Sequence, residues 1–325
     1  MELPDRLTLR GLRIFVALEE AQSVARAAER LNLSKSSISQ HITGLEDSIG
    51  TTLFDRRQKP IALTATGQVL SAHAHRILGM VSEAEAALAV QNAGCLPVLN
   101  FAIIDDLDIS LTPAISTALH EQLPQSYICT FSGRSDEVTN RLSAREADIA
   151  ISASVPNDVS QFQIRELFSE RFALVVAKGR YMQNKDWRAQ LTALPLIEYS
   201  ESMPIGRLVL THLKRTQFEV PRRLSFETSR SVIATVAKTG GWTLATPLSI
   251  LDASRFHDQI EIFPLPFAEL SRSVFLINRM HELSSIADTL FQTLQYLLRR
   301  DLLSELDRIA PELSERLTVH DLGNV

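Results

Sequence analysis

The chain has 325 residues, of which 45% are hydrophobic and 22% are charged, and its net charge is −5 at pH 7. This length predicts two or three domains, and the negative charge argues against a uniformly basic nucleic-acid-binding protein. The two cysteines, Cys95 and Cys129, are too few for a disulfide framework or a cysteine metal site. Because no secretory leader or membrane-length apolar run is recognisable, we expect a cytoplasmic protein with reduced thiols and no cofactor or metal. A redox-sensing cysteine pair is the alternative.

Residues 23–64 predict two short helices joined by a tight turn and followed by a basic hairpin. Ser23 can cap the first helix, because a serine hydroxyl accepts a hydrogen bond from a free first-turn amide. Ala27 and Ala28 then share a face small enough for a second helix to approach closely. Ser34 can cap that second helix in the same way.

The second helix has one apolar face and one face of short hydrogen-bonding side chains. The apolar stripe recurs at intervals of four, three and four and consists of Ile38, Ile42, Leu45 and Ile49. The helix start and the opposite face carry Ser34, Lys35, Ser36, Ser37, Ser39, Gln40 and Thr43. An ordinary helical hairpin usually exposes Glu and Lys instead. The pattern therefore favours a helix that reads bases in the major groove.

A short basic hairpin follows these helices. Leu53 and Phe54 are predicted to anchor it in the core, and Ile61 and Leu63 alternate with other residues at strand spacing. Its tip carries the cations Arg56, Arg57 and Lys59. Such a hairpin can bind phosphates or enter the minor groove, so we predict a DNA-binding wing.

This segment resembles the N-terminal domain of LysR-type transcriptional regulators. The shared positions are Ala27, Ala28, Leu31, Ser34, Ile38, Ser39, Ile42, Leu45, Glu46, Gly50, Leu53, Phe54, Arg56, Leu63, Thr64 and Gly67. One departure is Lys35, where the family commonly has Gln. Lys can donate to guanine or phosphate but cannot read adenine as Gln does, so the preferred operator is expected to differ there.

The resemblance implies an α/β protein with an N-terminal winged helix-turn-helix, a long dimerisation helix and a two-lobed effector-binding domain similar to periplasmic binding proteins. The implied segments are 1–64 (DNA binding), 65–94 (dimerisation), 95–303 (effector binding, with lobe I at 95–169 and 272–303 and lobe II at 170–271) and 304–325 (C-terminal extension). The implied partners are double-stranded promoter DNA, a small-molecule effector, a second copy or a dimer of dimers, and RNA polymerase. No membrane association is expected.

Residues 65–92 are predicted to form one long helix, since they lack proline. Its apolar positions recur at heptad spacing and are Leu70, Ala74, Ile77, Val81, Ala84 and Leu88. A helix packed on its own domain also shows an apolar stripe, but a period held over nearly three heptads favours pairing with a second helix. His73 and His75 fall off the stripe and are expected to be solvated.

From Val98 onward, apolar segments of strand length alternate with helical ones. The predicted strands are Val98–Ile104, Tyr127–Phe131, Asp148–Ser152, Phe172–Ala177, Leu196–Tyr199, Leu224–Glu227, Thr243–Thr246 and Ser273–Asn278. This alternation predicts parallel sheets with helices on both faces, with the first helices near 110–123 and 136–144. The family layout implies crossings between two lobes near 168–172 and 270–274.

Ligands of open α/β sheets bind beyond the carboxyl ends of the strands. The effector-binding residues predicted on this basis are Asp105, Asp106, Leu107, Ser132, Gly133, Arg134, Tyr199, Ser200, Glu201, Ser202, Thr228, Ser229 and Thr246. The same strand-end segments, which should line the site, also include Asp108, Ser135, Met203, Arg230 and Ser231. Hydroxyls at helix starts fit a carboxylate effector. Three aspartates at the first strand end would repel a plain anion unless Arg134 or Arg230 compensates, so a zwitterionic or cationic effector is the other hypothesis. The bland alternative is that Asp105 and Asp108 cap a helix and contact no ligand.

A solute-binding protein and an enzyme are the two alternative function classes. The lobes alone would permit a solute-binding protein that delivers a small molecule to a transporter, but the N-terminal helices oppose it. No phosphate loop, nucleophile elbow or zinc-protease motif is present, which argues against an enzyme. Beyond the lobes, residues 302–313 predict a further helix with one apolar face, which packs either on the lobe or on a partner.

Overall fold

The structure, a computed structural model, describes residues 7–55, 57–58, 60–91, 97–218, 220 and 222–320, with backbone alone at 82–83 and 85–91. The predicted wing cations Arg56 and Lys59 and the thiol Cys95 therefore lie outside the described residues, as does the side chain of Leu88. The chain forms two compact units, Met1–Leu88 with Met280–Glu282 and Ala89–Arg279 with Leu283–Val325. In the part of the chain that the structure describes, no helix combines the length and apolarity needed to cross a membrane.

The first unit contains a helical core, a two-stranded hairpin and one long helix. Its elements are α1 (Leu9–Ala21), α2 (Val24–Arg30), α3 (Lys35–Ile49), β1 (Phe54–Asp55), β2 (Ala62–Leu63) and α4 (Ala65–Gln91). The predicted stripe of α3 faces this core, with Ile38, Ile42 and Leu45 buried and Ile49 half-buried. The aromatic ring of Phe54 packs against that of Phe15, with centroids 5.1 Å apart. The winged helix-turn-helix predicted from the sequence is thus confirmed.

The turn between α2 and α3 follows the sequence prediction, but the cap of α2 does not. Asn32 adopts a left-handed conformation (φ 51°), which asparagine tolerates better than most residues. The Ser34 hydroxyl accepts a hydrogen bond from the Ser37 amide at 3.1 Å, so the predicted cap of α3 is confirmed. The predicted cap of α2 is wrong, because Ser23 precedes that helix without a side-chain bond to its first turn.

The first half of α4 packs on its own domain. Leu70, Ala74 and Leu78 contact the core of the first unit. Val69, Ile77 and Met80 are exposed instead, with Met80 at 64% exposure. The predicted apolar stripe of α4 is therefore not one continuous exposed surface. Its first two members cover the domain's own core, and the free apolar face is rotated away from them.

Contacts between α4 and α1 correct the expectation for one histidine. Glu19 of α1 accepts a hydrogen bond from the Ser71 hydroxyl at 2.6 Å, and its other oxygen lies 3.3 Å from His75 Nε2. His75 is therefore half-buried against a carboxylate, whereas His73 is exposed as predicted. These contacts join α4 to the core independently of its apolar stripe.

Lobe I of the second unit is built on a six-stranded mixed sheet. Its strands, in the order β13-β6-β12-β5-β3-β4, are β3 (Val98–Ile104), β4 (Tyr127–Gly133), β5 (Ile149–Ser152), β6 (Phe162–Arg171), β12 (Ser271–Arg279) and β13 (Leu317–Val319). Strands β3, β4 and β5 pair in parallel at one side of the sheet, and β6, β12 and β13 pair antiparallel at the other. The helices of this lobe are α5 (Asp105–Gln122), α6 (Ser135–Ser143) and α11 (Ser284–Leu297).

Lobe II is built on a five-stranded mixed sheet in the order β11-β7-β10-β8-β9. Its strands are β7 (Ala173–Ala177), β8 (Leu196–Tyr199), β9 (Arg222–Phe226), β10 (Trp242–Ala245) and β11 (Ile260–Phe263). Its helices are α7 (Trp187–Ala193), α8 (Pro204–Arg215), α9 (Ser229–Thr239) and α10 (Pro247–Asp252). The α/β class predicted from the sequence is confirmed, but the prediction of parallel sheets is wrong for both lobes.

The long antiparallel strands β6 and β12 connect the lobes. The chain leaves the sheet of lobe I after Arg171, passes Phe172 and enters the sheet of lobe II at Ala173. It returns at Ser271, where β12 runs antiparallel beside β6. The sequence prediction missed β6, because its charged pairs Arg165-Glu166 and Glu170-Arg171 interrupt the apolar run that marks the buried strands.

The C-terminal residues pack on lobe I. They form α12 (Leu303–Ile309), α13 (Pro311–Ser314) and β13, with Leu306 and Leu313 fully buried. Strand β13 pairs with β6, placing Leu317 opposite Glu170. The apolar face predicted for residues 302–313 is therefore used within the same chain.

Candidate functional site

The predicted DNA-contacting face of α3 is presented to solvent. Exposed positions are Ser34, Lys35, Ser36, Gln40 and Thr43, and half-buried ones are Ser37 and Ser39. The first turn of α3 carries no acidic residue, so its free amides retain their partial positive charge. A helix start of this kind accommodates a phosphate while the following turn meets base edges.

A buried carboxylate connects α3 to the hairpin. Glu46 is 9% exposed, and its Oε1 accepts hydrogen bonds from the Leu53 amide at 2.8 Å and the Phe54 amide at 3.2 Å. Charge-assisted bonds of this kind are stronger than neutral ones. They fix the hairpin relative to the helix, a role that the sequence prediction did not assign to Glu46.

The hairpin tip is shaped by Asp55. Its Oδ1 accepts the Arg57 amide at 3.0 Å, and its Oδ2 accepts a bond from the Gln58 side chain at 3.1 Å. Aspartate commonly forms such a turn by binding the backbone two residues on. The guanidinium of Arg57 lies at this tip and is exposed.

A cavity of about 450 Å³ lies between the two lobes of the second unit. It opens beyond the carboxyl ends of β3, β4 and β9, where α/β sheets bind ligands. Its volume matches that of a metabolite-binding pocket. Seven of the thirteen predicted effector-binding residues line it: Asp105, Asp106, Ser132, Gly133, Arg134, Thr228 and Ser229.

The other six predicted effector-binding residues do not line this cavity. Leu107 and Tyr199 are buried in the lobe interiors, and Thr246 caps α10 through the Ser249 amide. The remaining three are Ser200, Glu201 and Ser202, which precede α8. Ser202 donates to Glu227, which itself lines the cavity.

Sequence reasoning missed several residues that line the cavity. They are Ile104, Pro204, Ile205, Glu227, Asp252 and Arg272, whereas the lining residues Asp108, Ser135, Met203, Arg230 and Ser231 lie in the predicted strand-end segments. Most neighbour a predicted position, but Arg272 and Asp252 do not. The only local signal for Arg272 is a charged residue at the start of a largely apolar strand.

Arg272 is the centre of a buried ion-pair network at the crossing strands. Its Nε donates to Glu170 at 2.7 Å and its Nη2 to Asp106 at 2.8 Å. Glu170, fully buried, also accepts the Leu248 amide at 3.2 Å. Burial lowers the pKa of Arg272, but Glu170 and Asp106 outweigh it and hold that pKa above its ordinary value. Burial raises the pKa of Glu170 against the opposing effect of Arg272.

Hydrogen bonds extend this network from lobe I to lobe II. Asp106 of α5 accepts bonds from the hydroxyls of Ser229 at 3.0 Å and Ser249 at 3.4 Å. The Thr246 hydroxyl donates to Ser249 at 3.1 Å. Burial raises the pKa of the neighbouring Tyr199, so its hydroxyl stays protonated. Asp106 is therefore one of the points, with Glu170, at which the two lobes share hydrogen bonds.

The hypothesis that Asp105 and Asp108 serve as helix caps is wrong. Helix α5 begins at Asp105 rather than near residue 110, and Ile104 precedes it without a side-chain cap. Asp108 accepts a bond from Thr112 one turn along the helix. Burial raises the pKa of Asp105, and the nearby carboxylates, Asp106 first, raise it further. Within the described ranges, no group of three or more acidic, His or Cys residues is arranged to hold a metal.

Two known protein families match separate parts of this chain. Residues 9–68 match the family described as bacterial regulatory helix-turn-helix protein, lysR family. Residues 96–299 match the LysR substrate binding domain. The chain belongs to the LysR family. It is accordingly a DNA-binding transcription regulator with an effector-binding domain, and the cavity lies within the matched domain.

Individual relatives of this LysR-type regulator are distant. The regulator GbpR of Azospirillum brasilense is 29% identical over 238 residues, covering 71% of this chain and 69% of that protein. The regulator DgdR of Burkholderia cepacia is 32% identical over 147 residues, covering 45% of this chain and 49% of that one. A full-length OxyR variant from Pseudomonas aeruginosa has a similar fold, with TM-score 0.56, 23% identity and coverage of 91% and 95%.

Proposed function

We propose that this LysR-type regulator reads operator DNA with the exposed face of α3 and responds to a small molecule bound in the inter-lobe cavity. The main support is that the short polar residues of α3 face solvent while its apolar stripe is buried. We assign contacts with the bases to Lys35, Ser36, Ser39 and Gln40. We assign contacts with phosphates to Arg57, and to Arg56 and Lys59, which lie outside the described residues. The protein would act in the cytoplasm, where this DNA is accessible.

Dimerisation through α4 completes the proposal. Val69, Ile77 and Met80 are exposed and fall within about 80° of one another around the helix. Such a strip is suited to a second α4 helix, and pairing would double the phosphate contacts of a domain with few described cations. A two-fold dimer would recognise a partly palindromic operator, and a dimer of dimers would span two such sites. Contact with RNA polymerase is a further part of this proposal.

Gel shifts on the gene's own upstream DNA test the α3 surface. Gln40→Ala should cut discrimination between operator and scrambled duplex by about tenfold, because one bidentate contact contributes ~1–3 kcal/mol. Arg57→Ala should weaken both duplexes alike and reduce the salt slope by about one. Matched controls are Gln68→Ala and Arg76→Ala, exposed positions on α4. Equal effects of the α3 and α4 variants would contradict the assignment.

Sedimentation tests the pairing. Ile77→Glu should convert the dimer to a monomer, because it places a charge in the apolar strip. Gln68→Glu, on another side of α4, should leave the dimer intact. A dimer that survives Ile77→Glu would show that another surface holds it.

A further inference from the structure

We propose that the inter-lobe cavity selects its ligand by a positive charge, binding an ammonium or guanidinium group against Asp105. This inference rests on the proposed function, because it takes the cavity to be the effector site. It decides between the carboxylate, zwitterionic and cationic hypotheses that the sequence left open.

The first argument is the charge balance of the lining. Among the described residues that line the cavity, five are carboxylates, at Asp105, Asp106, Asp108, Glu227 and Asp252. Three are guanidinium groups, so the lining carries an excess of two negative charges. A cavity enclosed by lobes of low dielectric concentrates such a field and attracts cations.

The second argument is that each arginine of the lining is already paired. Arg272 binds Glu170 and Asp106. Arg230 donates to both oxygens of Asp252 at 2.8 Å, and Asp252 side-chain exposure is only 6%. The charge of each guanidinium is thus already offset by a protein carboxylate, so an anionic ligand could use only its remaining N–H groups and would gain little net attraction.

Arg134 is paired in the same way. Its guanidinium binds Asp136 at 2.9 Å and lies 3.7 Å from Glu137. Its backbone amide also donates to Glu137. The positive charge with which Arg134 or Arg230 could compensate a carboxylate effector is therefore already offset within the protein.

The third argument is that carboxylate oxygens remain available on both sides of the cavity. Among the residues that the structure describes, none forms a hydrogen bond or ion pair with Asp105. Asp108 lies one turn further on the same side of α5 and uses one oxygen for Thr112. Glu227 of lobe II uses one oxygen for Ser202. A cation at Asp105 thus meets acceptors from both lobes and favours their approach.

Two of the helix starts at the cavity, those of α5 and α6, attract an anion only weakly. Both α5 and α6 begin at the cavity, but acidic residues occupy their first turns, with Asp136 and Glu137 in α6. These charges offset the positive end of the helix dipole. The starts of α8 at Pro204 and of α9 at Ser229 also lie at the cavity and have no acidic residue. They can hold a carboxylate of a zwitterion, but the cationic group remains the selected feature.

Thermal shifts of the full chain with a four-carbon series test the proposal. The probes are 1,4-diaminobutane, 4-aminobutanoate, butanediol and butanedioate at equal millimolar concentration and equal ionic strength. A ligand that binds only the folded state raises Tm. We expect the diamine to give the largest shift, the zwitterion a smaller one, and the diol and dianion none.

Two variants separate the site from general electrostatics. Asp105→Asn should reduce the apparent affinity for the diamine by about tenfold, as expected for the loss of one charge-assisted contact. Glu121→Gln removes the same charge from an exposed position at the other end of α5 and should change nothing. Each shift is referred to the variant's own ligand-free Tm.

The proposal is overturned if butanedioate gives the larger shift, if no cation of the series gives a shift, or if the diamine shift persists in Asp105→Asn. Gel shifts on the upstream DNA are run with the same preparations. A chain that binds this DNA but fails the cation test contradicts the ligand class alone. A chain that binds no such DNA contradicts the proposed function itself.

Discussion

The proposed DNA-reading surface of α3 and the inter-lobe cavity are built in opposite ways. On α3 the cap, the buried stripe and the exposed face all belong to one continuous segment from Ser34 to Ile49. The cavity instead takes side chains from six separate segments between Ile104 and Arg272. A surface made from one helix depends on local hydrogen bonds and one stripe. A cavity made from many segments depends on long-range pairs that hold two lobes in register.

The largest effect should follow from removing the centre of the long-range network. Arg272→Ala leaves Glu170 buried without its cation, and loss of one partner of a buried pair costs about 3–5 kcal/mol. Both tryptophans, Trp187 and Trp242, lie in lobe II, so urea unfolding followed by their fluorescence reports this unit. Arg300→Ala removes an exposed pair and should leave the free energy of unfolding nearly unchanged. Similar losses in the two variants would contradict the network's role.

A smaller loss should follow where α3 meets the hairpin. Glu46→Ala leaves the Leu53 and Phe54 amides without their acceptor, which costs roughly 2 kcal/mol. Amide exchange in the hairpin should accelerate accordingly while exchange in lobe II stays unchanged. Asp47→Ala, an exposed neighbour, serves as the control. If both variants accelerate exchange equally, the carboxylate does not hold the hairpin.

The two serines that precede α2 and α3 allow a direct comparison of a residue that caps its helix with one that does not. Ser34→Ala removes a hydroxyl that accepts the Ser37 amide and should destabilise the start of α3 by ~1 kcal/mol. Ser23→Ala removes a hydroxyl without such a bond to α2 and should cost only a few tenths of a kcal/mol. Thermal unfolding followed by circular dichroism measures the difference. A larger loss for Ser23→Ala would contradict the observed cap.

The smallest effect has the opposite sign. Because burial and neighbouring carboxylates raise the pKa of Asp105, its charge opposes folding above that pKa. Asp105→Asn should therefore stabilise the ligand-free protein at neutral pH, by no more than about 0.5 kcal/mol since the side chain is partly solvated. The gain should shrink as the pH falls through the raised pKa and the wild-type carboxyl is protonated. A gain that is independent of pH would point to a cause other than this charge.

The same contrast explains what could be predicted from the sequence. The α3 face and the strand ends at Asp105 and Ser132 follow local rules, so their positions were predictable. The pairing of Arg272 with Glu170 was not, because it requires the antiparallel register of β6 and β12, which are separated by all of lobe II. That the apolar residues of α4 are split between the domain core and an exposed face was unpredictable for a similar reason. Periodicity shows that a face is apolar but not which neighbour covers it.

The short strand β13 has a consequence for any shortened form of this protein. It covers the outer edge of β6, and the Arg171 amide next to it donates to the Arg316 carbonyl at 2.8 Å. A chain truncated at residue 303 would expose that edge as a row of unsatisfied amides and carbonyls. Such a fragment is expected to exchange strands or aggregate, so the isolated effector-binding domain should be expressed through residue 320.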